Sequence, residues 1–236
     1  MLPEHSSTEY RKLIERVLSD LGLHLSEPQA AQLATYFSLL VHWNRRINLT
    51  SVRRPEDIAV RHFGESLFLV KLLEQVGTGL PAWTDSGLLV DVGSGAGFPG
   101  LPIKIACPAM TAVLLEPTTK KTAFLKEVIR QCKLDGIEAR AERLEETVHH
   151  GLGDLAGRAT LVTLRAVAIT PDLLAGLKTL LAPDGRLALF LGERDALALA
   201  QSPKSAAGSA HSNDLHWEPP APIPHSERRV ILIGRR

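Results

Sequence analysis

One apolar segment followed by a glycine-rich turn constrains the fold of this 236-residue chain more than any other feature. Residues 88–92 form an apolar run of the length expected for a buried strand. Glycine then recurs at every second position, at Gly93, Gly95 and Gly97, ahead of a helical segment that starts near Pro99. Glycine permits positive φ and lets a ligand approach the main chain closely. The pattern predicts a strand, loop and helix that together cradle a nucleotide-like ligand.

Two classes of ligand compete for this loop. Residues 95–100 formally match the G-x-G-x-x-G fingerprint of dinucleotide-binding proteins. Asp91, however, places a carboxylate at the strand end, where it would repel a pyrophosphate. S-Adenosylmethionine has no phosphate and carries a positive sulfonium and a positive α-ammonium, which suit an acid beside the loop. An aspartate followed by three alternate glycines is typical of Rossmann-like methyltransferases. The pattern therefore favours S-adenosyl-L-methionine, and a nicotinamide-dependent oxidoreductase on the same sheet stays an alternative.

Composition limits the remaining classes of protein. The chain is 44% hydrophobic and 22% charged, as expected for an ordinary globular protein. Its formal net charge is only +1, so any nucleic-acid surface must be a local patch. Cys107 and Cys132 make no disulfide framework, and we expect both thiols to be buried or inert. The first 12 residues do not resemble a signal peptide, and no apolar run approaches the ~20 residues of a membrane span. A cytoplasmic enzyme is expected.

A helical region is predicted over residues 1–78, ahead of an S-adenosylmethionine-binding domain over residues 79–236. Apolar residues recur at helical spacing within 8–21, 26–41 and 55–73. Arginines cluster between the second and third of these predicted helices, interleaved with an aromatic residue and asparagines, and one more lies within the third. Arginine pairs bidentately with phosphate and stacks on bases, so the mixture suits RNA, although a solvated loop is the simpler interpretation of composition alone. The candidate RNA-binding residues are Arg45, Arg46, Arg53, Arg54, Arg61 and His62.

Further apolar runs predict more strands of one sheet. They lie at 112–116, 137–142, 161–164, 186–191 and 229–233. Because these runs alternate with helical segments, we expect an α/β fold, with a mostly parallel sheet and helices on both faces. Glu116 closes the second run, 19 residues after Gly97. An acid at that distance hydrogen-bonds ribose hydroxyls in nucleotide-binding sheets.

Several short motifs stand together in the order of one family. They are 48–52 (Asn-Leu-Thr-Ser-Val), 60–63 (Val-Arg-His-Phe) with 66–67, the glycine stretch 91–100, 140–142 (Arg-Ala-Glu) and 165–166 (Arg-Ala). From about residue 30 to 168 the chain resembles the glucose-inhibited division protein B family, bacterial methyltransferases of small-subunit ribosomal RNA. The resemblance implies a Rossmann-like class I methyltransferase with a mostly parallel seven-stranded sheet. It also implies methyl transfer to N7 of a guanine in 16S rRNA, free or in a ribosomal particle. We expect the protein to act as a monomer.

Candidate contacts to the methyl donor come from two sources. The loop pattern and spacing give Asp91, Gly95, Gly97 and Glu116. The resemblance implies Gly93, Phe98, Ala141, Glu142 and Arg165. Guanine N7 is a lone-pair nucleophile with no proton to remove, so we expect no general base, only positioning, for which Arg165 and His62 are candidates. No metal site is expected. A methyltransferase of another RNA or of a small molecule, and a non-catalytic RNA-binding module, stay alternatives.

Three positions depart from the family pattern. Glu65 stands where the family usually has aspartate before Ser66, and Leu164 replaces the usual serine or threonine before the arginine. Leu191 occupies a position that is lysine in many members. If that lysine contacts substrate, the nearby Arg194 is the candidate replacement. These departures concern the substrate side of the site rather than donor binding.

Overall fold

The computed structural model describes residues 4–75, 86–144, 153–166, 168–201 and 215–236, with side chains from residue 8 onward except that of Gln75. The helices are α1 (Glu4–Leu21), α2 (Glu27–Trp43), α3 (Pro55–Ile58), a π-helical turn (Ala59–Gly64), α4 (Glu65–Gln75), α5 (Gly100–Ala106), α6 (Thr119–Gln131), α7 (Pro171–Leu180) and α8 (Glu193–Ala200). The strands are β1 (Leu88–Val92), β2 (Thr111–Leu115), β3 (Ile137–Arg140), β4 (Ala159–Arg165), β5 (Leu181–Gly192), β6 (His216–Trp217), β7 (Ala221–Pro222) and β8 (Arg229–Arg235).

All described strands belong to one sheet. Their order is β3-β2-β1-β4-β5-β8-β6, and β7 also pairs with β8. The first five strands in this order are parallel, whereas β8 runs antiparallel to β5. The predicted α/β sheet is confirmed. The described residues contain eight strands rather than the expected seven because two strands of two residues each, β6 and β7, pair with β8.

Strand β1 lies at the centre of the sheet and is buried on both faces. It pairs with β2 on one side and with β4 on the other, so the chain changes direction across the sheet at this strand. Leu89 packs in a cluster with residues of α4 and α5, and Val90 packs in a cluster with residues of α7 and β5. In such a sheet, ligands bind in the crevice outside the carboxyl ends of the strands where the order reverses. The glycine loop directly follows β1 at this crevice.

The N-terminal helices share a hydrophobic cluster with the helices of the sheet. Ile14 of α1, Phe37 of α2 and Phe63 of the π-helical turn belong to the same buried cluster as Leu101 of α5 and Phe124 of α6. The predicted helical region therefore packs as part of the same core, and its predicted boundary at residues 78 and 79 lies outside the described residues. Within the part of the chain described here, no helix is long and apolar enough to cross a membrane.

The third predicted helix, at 55–73, is present but is not α-helical throughout. It consists of α3, a π-helical turn at Ala59–Gly64 and α4. A π-helical turn pairs each residue with the fifth along, so it holds more residues per turn than an α-helix. The apolar spacing on either side stays helical, which is why periodicity alone does not reveal the turn. Such turns are frequent at functional sites, and this one carries Arg61 and His62.

Candidate active site

An open cleft of about 830 Å³ lies at the carboxyl ends of β1, β2 and β4. Its walls come from the glycine loop, the turn after β2, the end of β4, the loop after α2 and the π-helical turn. The lining residues are Leu49, Thr50, Ser51, Val52, Arg61, His62, Gly93, Ser94, Gly95, Ala96, Phe98, Glu116, Pro117, Thr118, Lys121, Arg165, Ala166 and Arg229. This is the crevice where the sheet topology places a ligand.

The glycine loop is held against the end of β2 by main-chain hydrogen bonds. The amides of Gly93 and Ser94 both donate to the carbonyl of Leu115, at 2.8 and 3.0 Å. Gly95 has a φ of +59°, and a Cβ added there would meet no protein atom closer than the Gly93 carbonyl, at 3.9 Å. One side of Gly95 is therefore open beside the cleft, as a ligand that approaches the main chain requires.

Gly97 serves packing rather than the cleft. A Cβ at this position would lie 2.3 Å from Cδ1 of Leu101 and 2.9 Å from the hydroxyl of Tyr36. Gly97 is buried and is not among the residues that line the cleft. The prediction of a direct donor contact at Gly97 is therefore not supported. The residue is glycine because α2 and α5 approach the loop too closely for a side chain.

Asp91 likewise lies behind the cleft rather than in it. Its carboxylate is fully buried, accepts a hydrogen bond from Thr163 Oγ1 at 2.7 Å and accepts another from the Gly100 amide at 3.2 Å. Burial raises the pKa of Asp91 to about 6, partly opposed by these hydrogen bonds. The predicted direct contact with the positive groups of the donor is not supported. Asp91 instead ties β1 to β4 and to the start of α5, and so positions the glycine loop.

Glu116 joins the two loops that form the donor side of the cleft. One carboxylate oxygen accepts from the Gly95 amide and the other from the Thr118 amide, both at 2.9 Å. The carboxylate oxygens have lone pairs beyond these two bonds, and Glu116 lines the cleft. An acid that lies beside an open glycine fits a ligand bearing ribose hydroxyls. These residues therefore fit S-adenosylmethionine.

Ala141 and Glu142 follow β3, the strand next to β2. The Glu116 amide donates to the carbonyl of Arg140 at 3.1 Å, which joins the turn after β2 to the end of β3. Ala141 is exposed, and neither Ala141 nor Glu142 is among the residues that line the cleft. Their contact with the donor stays a prediction.

Arg165, at the end of β4, is the centre of a polar network on the other side of the cleft. Its Nη2 donates to the Arg61 carbonyl at 2.7 Å and lies 3.2 Å from Nδ1 of His62. The same nitrogen lies 3.0 Å from the Glu65 carboxylate, with both side chains largely buried. Burial lowers the pKa of Arg165 to about 10, so the guanidinium remains charged at neutral pH. Arg165 is thus fixed in one orientation at the cleft.

Glu65, one of the departures from the family pattern, bridges two arginines. Its second oxygen accepts from Arg229 Nη1 at 3.0 Å, while the first faces Arg165. Arg229 belongs to β8 and lines the cleft, although its only sequence signal is the Glu-Arg-Arg-Val run at 227–230, which is weak. Arg194, the proposed replacement for the missing lysine, is exposed and is not among the residues that line the cleft.

His62 and Phe98 belong to a stack of rings beside the cleft. The imidazole stacks on Phe98 with ring centroids 4.8 Å apart, and Phe98 stacks on Tyr36 at 5.2 Å. Burial lowers the pKa of His62 to about 3, with a further contribution from Arg165. A neutral imidazole carries no charge for a phosphate. Any contact of His62 with RNA would therefore be a hydrogen bond from a neutral ring rather than an ion pair, and its role in orienting a phosphate or guanine stays a prediction.

The predicted RNA-binding arginines divide into two groups. Arg61 lines the cleft, whereas the other four lie outside its lining on an exposed surface: Arg45, Arg46, Arg53 and Arg54. Arg53 donates to the Asn44 carbonyl at 3.3 Å, and Arg54 has only loose ion pairs with Glu56 and Asp57, at 3.7 and 4.0 Å. The exposed arginines flank the wall residues 49–52 along the chain.

Neither cysteine is a nucleophile candidate. Cys107 and Cys132 are free and buried, and burial raises their pKa values to about 11 and about 12. The prediction that both thiols are buried or inert is confirmed as to burial. Among the residues that the structure describes, no three His, Cys, Asp or Glu side chains are grouped as a metal site requires. His149 and His150 are adjacent in the sequence, but the sequence shows no further metal ligands beside them. Both lie outside the described residues.

The sheet order, the glycine loop and the cleft define a class I S-adenosylmethionine-dependent methyltransferase. Solved structures support the fold: magnesium protoporphyrin IX methyltransferase (ChlM) from Synechocystis PCC 6803 with bound SAM is similar, with a TM-score of 0.56 and 15% identity over 85% of this chain and 97% of that chain. The fibrillarin/Nop5p complex has a TM-score of 0.52 and 13% identity over 74% and 83% of the two chains.

Sequence relatives identify the particular family. The family model described as rRNA small subunit methyltransferase G matches residues 29–215. The ribosomal RNA small subunit methyltransferase G of Halorhodospira halophila is 37% identical and covers 96% of this chain and 97% of its own length. The protein of the same name from Cupriavidus necator is 33% identical over 96% of this chain and 95% of its own length. The chain belongs to the rRNA small subunit methyltransferase G family, as its motifs predict.

Proposed function

We propose that this protein transfers the methyl group of S-adenosyl-L-methionine to N7 of a guanine in bacterial small-subunit (16S) ribosomal RNA. The observation that carries the proposal is a cleft with two chemically different sides. One side is an open glycine loop joined to Glu116, and the other is a fixed network around Arg165 and His62. Membership of the rRNA small subunit methyltransferase G family supports the choice of substrate.

The side of the cleft that contains the glycine loop fits S-adenosylmethionine, a ligand that has no phosphate. The open side of Gly95 admits the ligand to the main chain, and Glu116 provides acceptors for ribose hydroxyls. Asp91 and Tyr36 act from behind, because both hold the glycine loop without lining the cleft. S-Adenosylmethionine, when bound, supplies an electrophilic methyl carbon on a positively charged sulfur.

The acceptor side of the cleft offers no free base. Arg165 uses the lone pair on His62 Nδ1, and the other ring nitrogen faces Thr50. Among the described residues that line the cleft, Glu116 is the one carboxylate, and both of its oxygens hold main-chain amides. Attack by the N7 lone pair forms the new N–C bond while the electrons of the C–S bond stay on sulfur, so no proton moves. A cleft that positions without accepting a proton suits this nucleophile.

The exposed arginines support RNA as the substrate. Arg45, Arg46, Arg53 and Arg54 form a local basic surface beside the cleft in a chain of formal net charge +1. We expect a single copy of the chain to act in the cytoplasm on 16S rRNA or on a small-subunit particle.

A methylation assay with defined substrates tests this function. Purified protein is incubated with labelled donor and either naked 16S rRNA or small subunits, both isolated from cells that lack this enzyme. Digestion to nucleosides should yield N7-methylguanosine from one of the two substrates. Calorimetry with S-adenosylmethionine and with NADH tests the oxidoreductase alternative. We expect binding of S-adenosylmethionine and no binding of NADH. A different methylated nucleoside, or none from either substrate, would overturn the proposal.

A further inference from the structure

We propose that the hydroxyl of Thr50 donates a hydrogen bond to O6 of the target guanine and thereby selects guanine over adenine. The proposal rests on the function proposed above and adds the residue that reads the base. Thr50 lies in the loop after α2 and lines the cleft. His62 contacts Thr50 through one ring nitrogen and Arg165, a predicted donor contact, through the other. Thr50 is therefore linked to the predicted donor contact through His62.

The orientation of the His62 proton follows from its neighbours. Arg165 Nη2 lies 3.2 Å from His62 Nδ1, and a guanidinium nitrogen can only donate. One of the two Nη2 hydrogens goes to the Arg61 carbonyl, and Glu65 Oε2, although 3.0 Å from Nη2, accepts no hydrogen bond from a described residue. The second hydrogen is therefore directed at Nδ1, which makes His62 a neutral imidazole with its proton on Nε2. The burial of the ring and its three arginine neighbours, Arg165, Arg61 and Arg229, disfavour the doubly protonated form.

The proton on His62 in turn fixes the role of the Thr50 hydroxyl. His62 Nε2 lies 2.7 Å from Thr50 Oγ1, so its N–H donates to that oxygen. The Val52 amide donates to the same oxygen at 3.1 Å. A hydroxyl has two lone pairs and one proton, so both acceptor positions are used. The remaining proton has no acceptor among the described residues, and Thr50 can only donate to a group in the cleft.

A hydroxyl that can only donate discriminates between the purines beside N7. Guanine presents O6, an acceptor, next to N7, whereas adenine presents the N6 amino group, a donor, at the same place. Thr50 therefore pairs with guanine, while adenine would bring two donors face to face and leave both without a partner. A site built to hydrogen-bond one polar group rejects the analogue that lacks it. The hydrogen bonds from Arg165 to His62 and from His62 to Thr50 therefore leave the Thr50 hydroxyl as a donor that favours guanine.

A substitution cycle between enzyme and substrate tests the contact. Thr50→Val removes the hydroxyl at nearly constant shape, and the target guanine is replaced in ligated rRNA by 2-aminopurine, which lacks O6, or by hypoxanthine, which keeps it. Thr50→Val should lower kcat/KM roughly tenfold on guanine and on hypoxanthine, the loss of one neutral hydrogen bond. On 2-aminopurine the same substitution should change kcat/KM by less than about twofold, because the partner is already missing.

Three controls separate recognition from loop damage. Thr50→Ser retains the hydroxyl and should restore most of the discrimination, whereas Thr35→Val makes the same chemical change on α2, where the hydroxyl bonds Ala31 outside the cleft lining. Donor affinity by calorimetry should be unchanged in Thr50→Val. Equal losses on guanine and 2-aminopurine, or weaker donor binding instead, would overturn the contact with O6. A wild-type enzyme that fails to methylate guanine overturns the underlying function, and this is seen before any variant is used.

Discussion

The phenolic hydroxyl of Tyr36, in α2, donates a hydrogen bond to the main-chain carbonyl of Ala96 in the glycine loop. Both residues are buried, and the Tyr36 ring stacks on Phe98, two residues further along the loop. This bond connects the helical region, where RNA is expected to dock, with the loop expected to hold the donor. The N-terminal helices are therefore a structural support of the donor site.

Tyr36→Phe tests that support. The substitution leaves a buried carbonyl without its donor while keeping the ring stack, and it should cost about 1–3 kcal/mol of the free energy of unfolding. Donor affinity should also fall, because the loop loses a fixed point. Tyr10→Phe, on α1, is the matched control, because Tyr10 stacks on Phe37 rather than on a residue of the glycine loop. Denaturant unfolding and calorimetry check both variants, and equal behaviour of the two would contradict the role of Tyr36.

Glu116→Ala should weaken donor binding by roughly ten- to a hundredfold. A carboxylate that accepts from ribose hydroxyls contributes about 1.5–3 kcal/mol, and each 1.4 kcal/mol is about tenfold in the dissociation constant. The donor affinity of Glu116→Gln should lie between those of Glu116→Ala and the wild type, because an amide keeps one acceptor but turns an N–H toward Gly95 or Thr118. Asp135→Ala removes an exposed acid before β3 as the control. A dissociation constant within twofold of wild type for Glu116→Ala would remove this residue from the donor site.

His62 should make the protein sensitive to acid. Burial first, and then Arg165, lower its pKa in the folded state to about 3, from 6.5 in the unfolded chain. The stability gained from a neutral His62 is present above pH 6.5 and is lost as the pH falls toward 3, since only the unfolded chain binds the proton. Between pH 7 and 5 the wild type should lose about 2 kcal/mol more than His62→Gln. Parallel stability curves for the two proteins would contradict the buried, neutral state.

The glycine loop and the parallel strands were predictable because both depend on local sequence. The apolar run at β1 and the alternate glycines each have a direct backbone consequence. The roles of Asp91 and Gly97 were not predictable, because each depends on contacts with other elements: Asp91 with β4, and Gly97 with Tyr36 of α2. Asp91 points to Thr163 of β4, 72 residues along the chain. The pairing of Glu65 with Arg229 spans 164 residues, and no local pattern encodes it.

We predict that the exposed arginines bind RNA phosphates. Arg53→Gln combined with Arg54→Gln should weaken RNA binding and lower the salt dependence of the affinity, by about 0.7 in the log–log slope for each phosphate that no longer pairs with an arginine. Donor affinity should stay the same, because neither side chain lines the cleft. Lys12→Gln with Arg16→Gln removes the same charge from the exposed surface of α1. If both double variants show the wild-type slope, the arginine surface is a solvated loop.

The most direct test of the central claim is the ribosomal RNA of cells that lack this protein. Mapping of N7-methylguanine should show one 16S position that is modified in the wild type and unmodified in the deletion strain. The wild-type gene should restore it. Gly95→Val should not, because its side chain enters the open side of the loop and the φ of +59° disfavours a β-branched residue, whereas Gly97→Val is expected to disturb the core. An unchanged N7-methylguanine pattern in the deletion strain would contradict the proposed function.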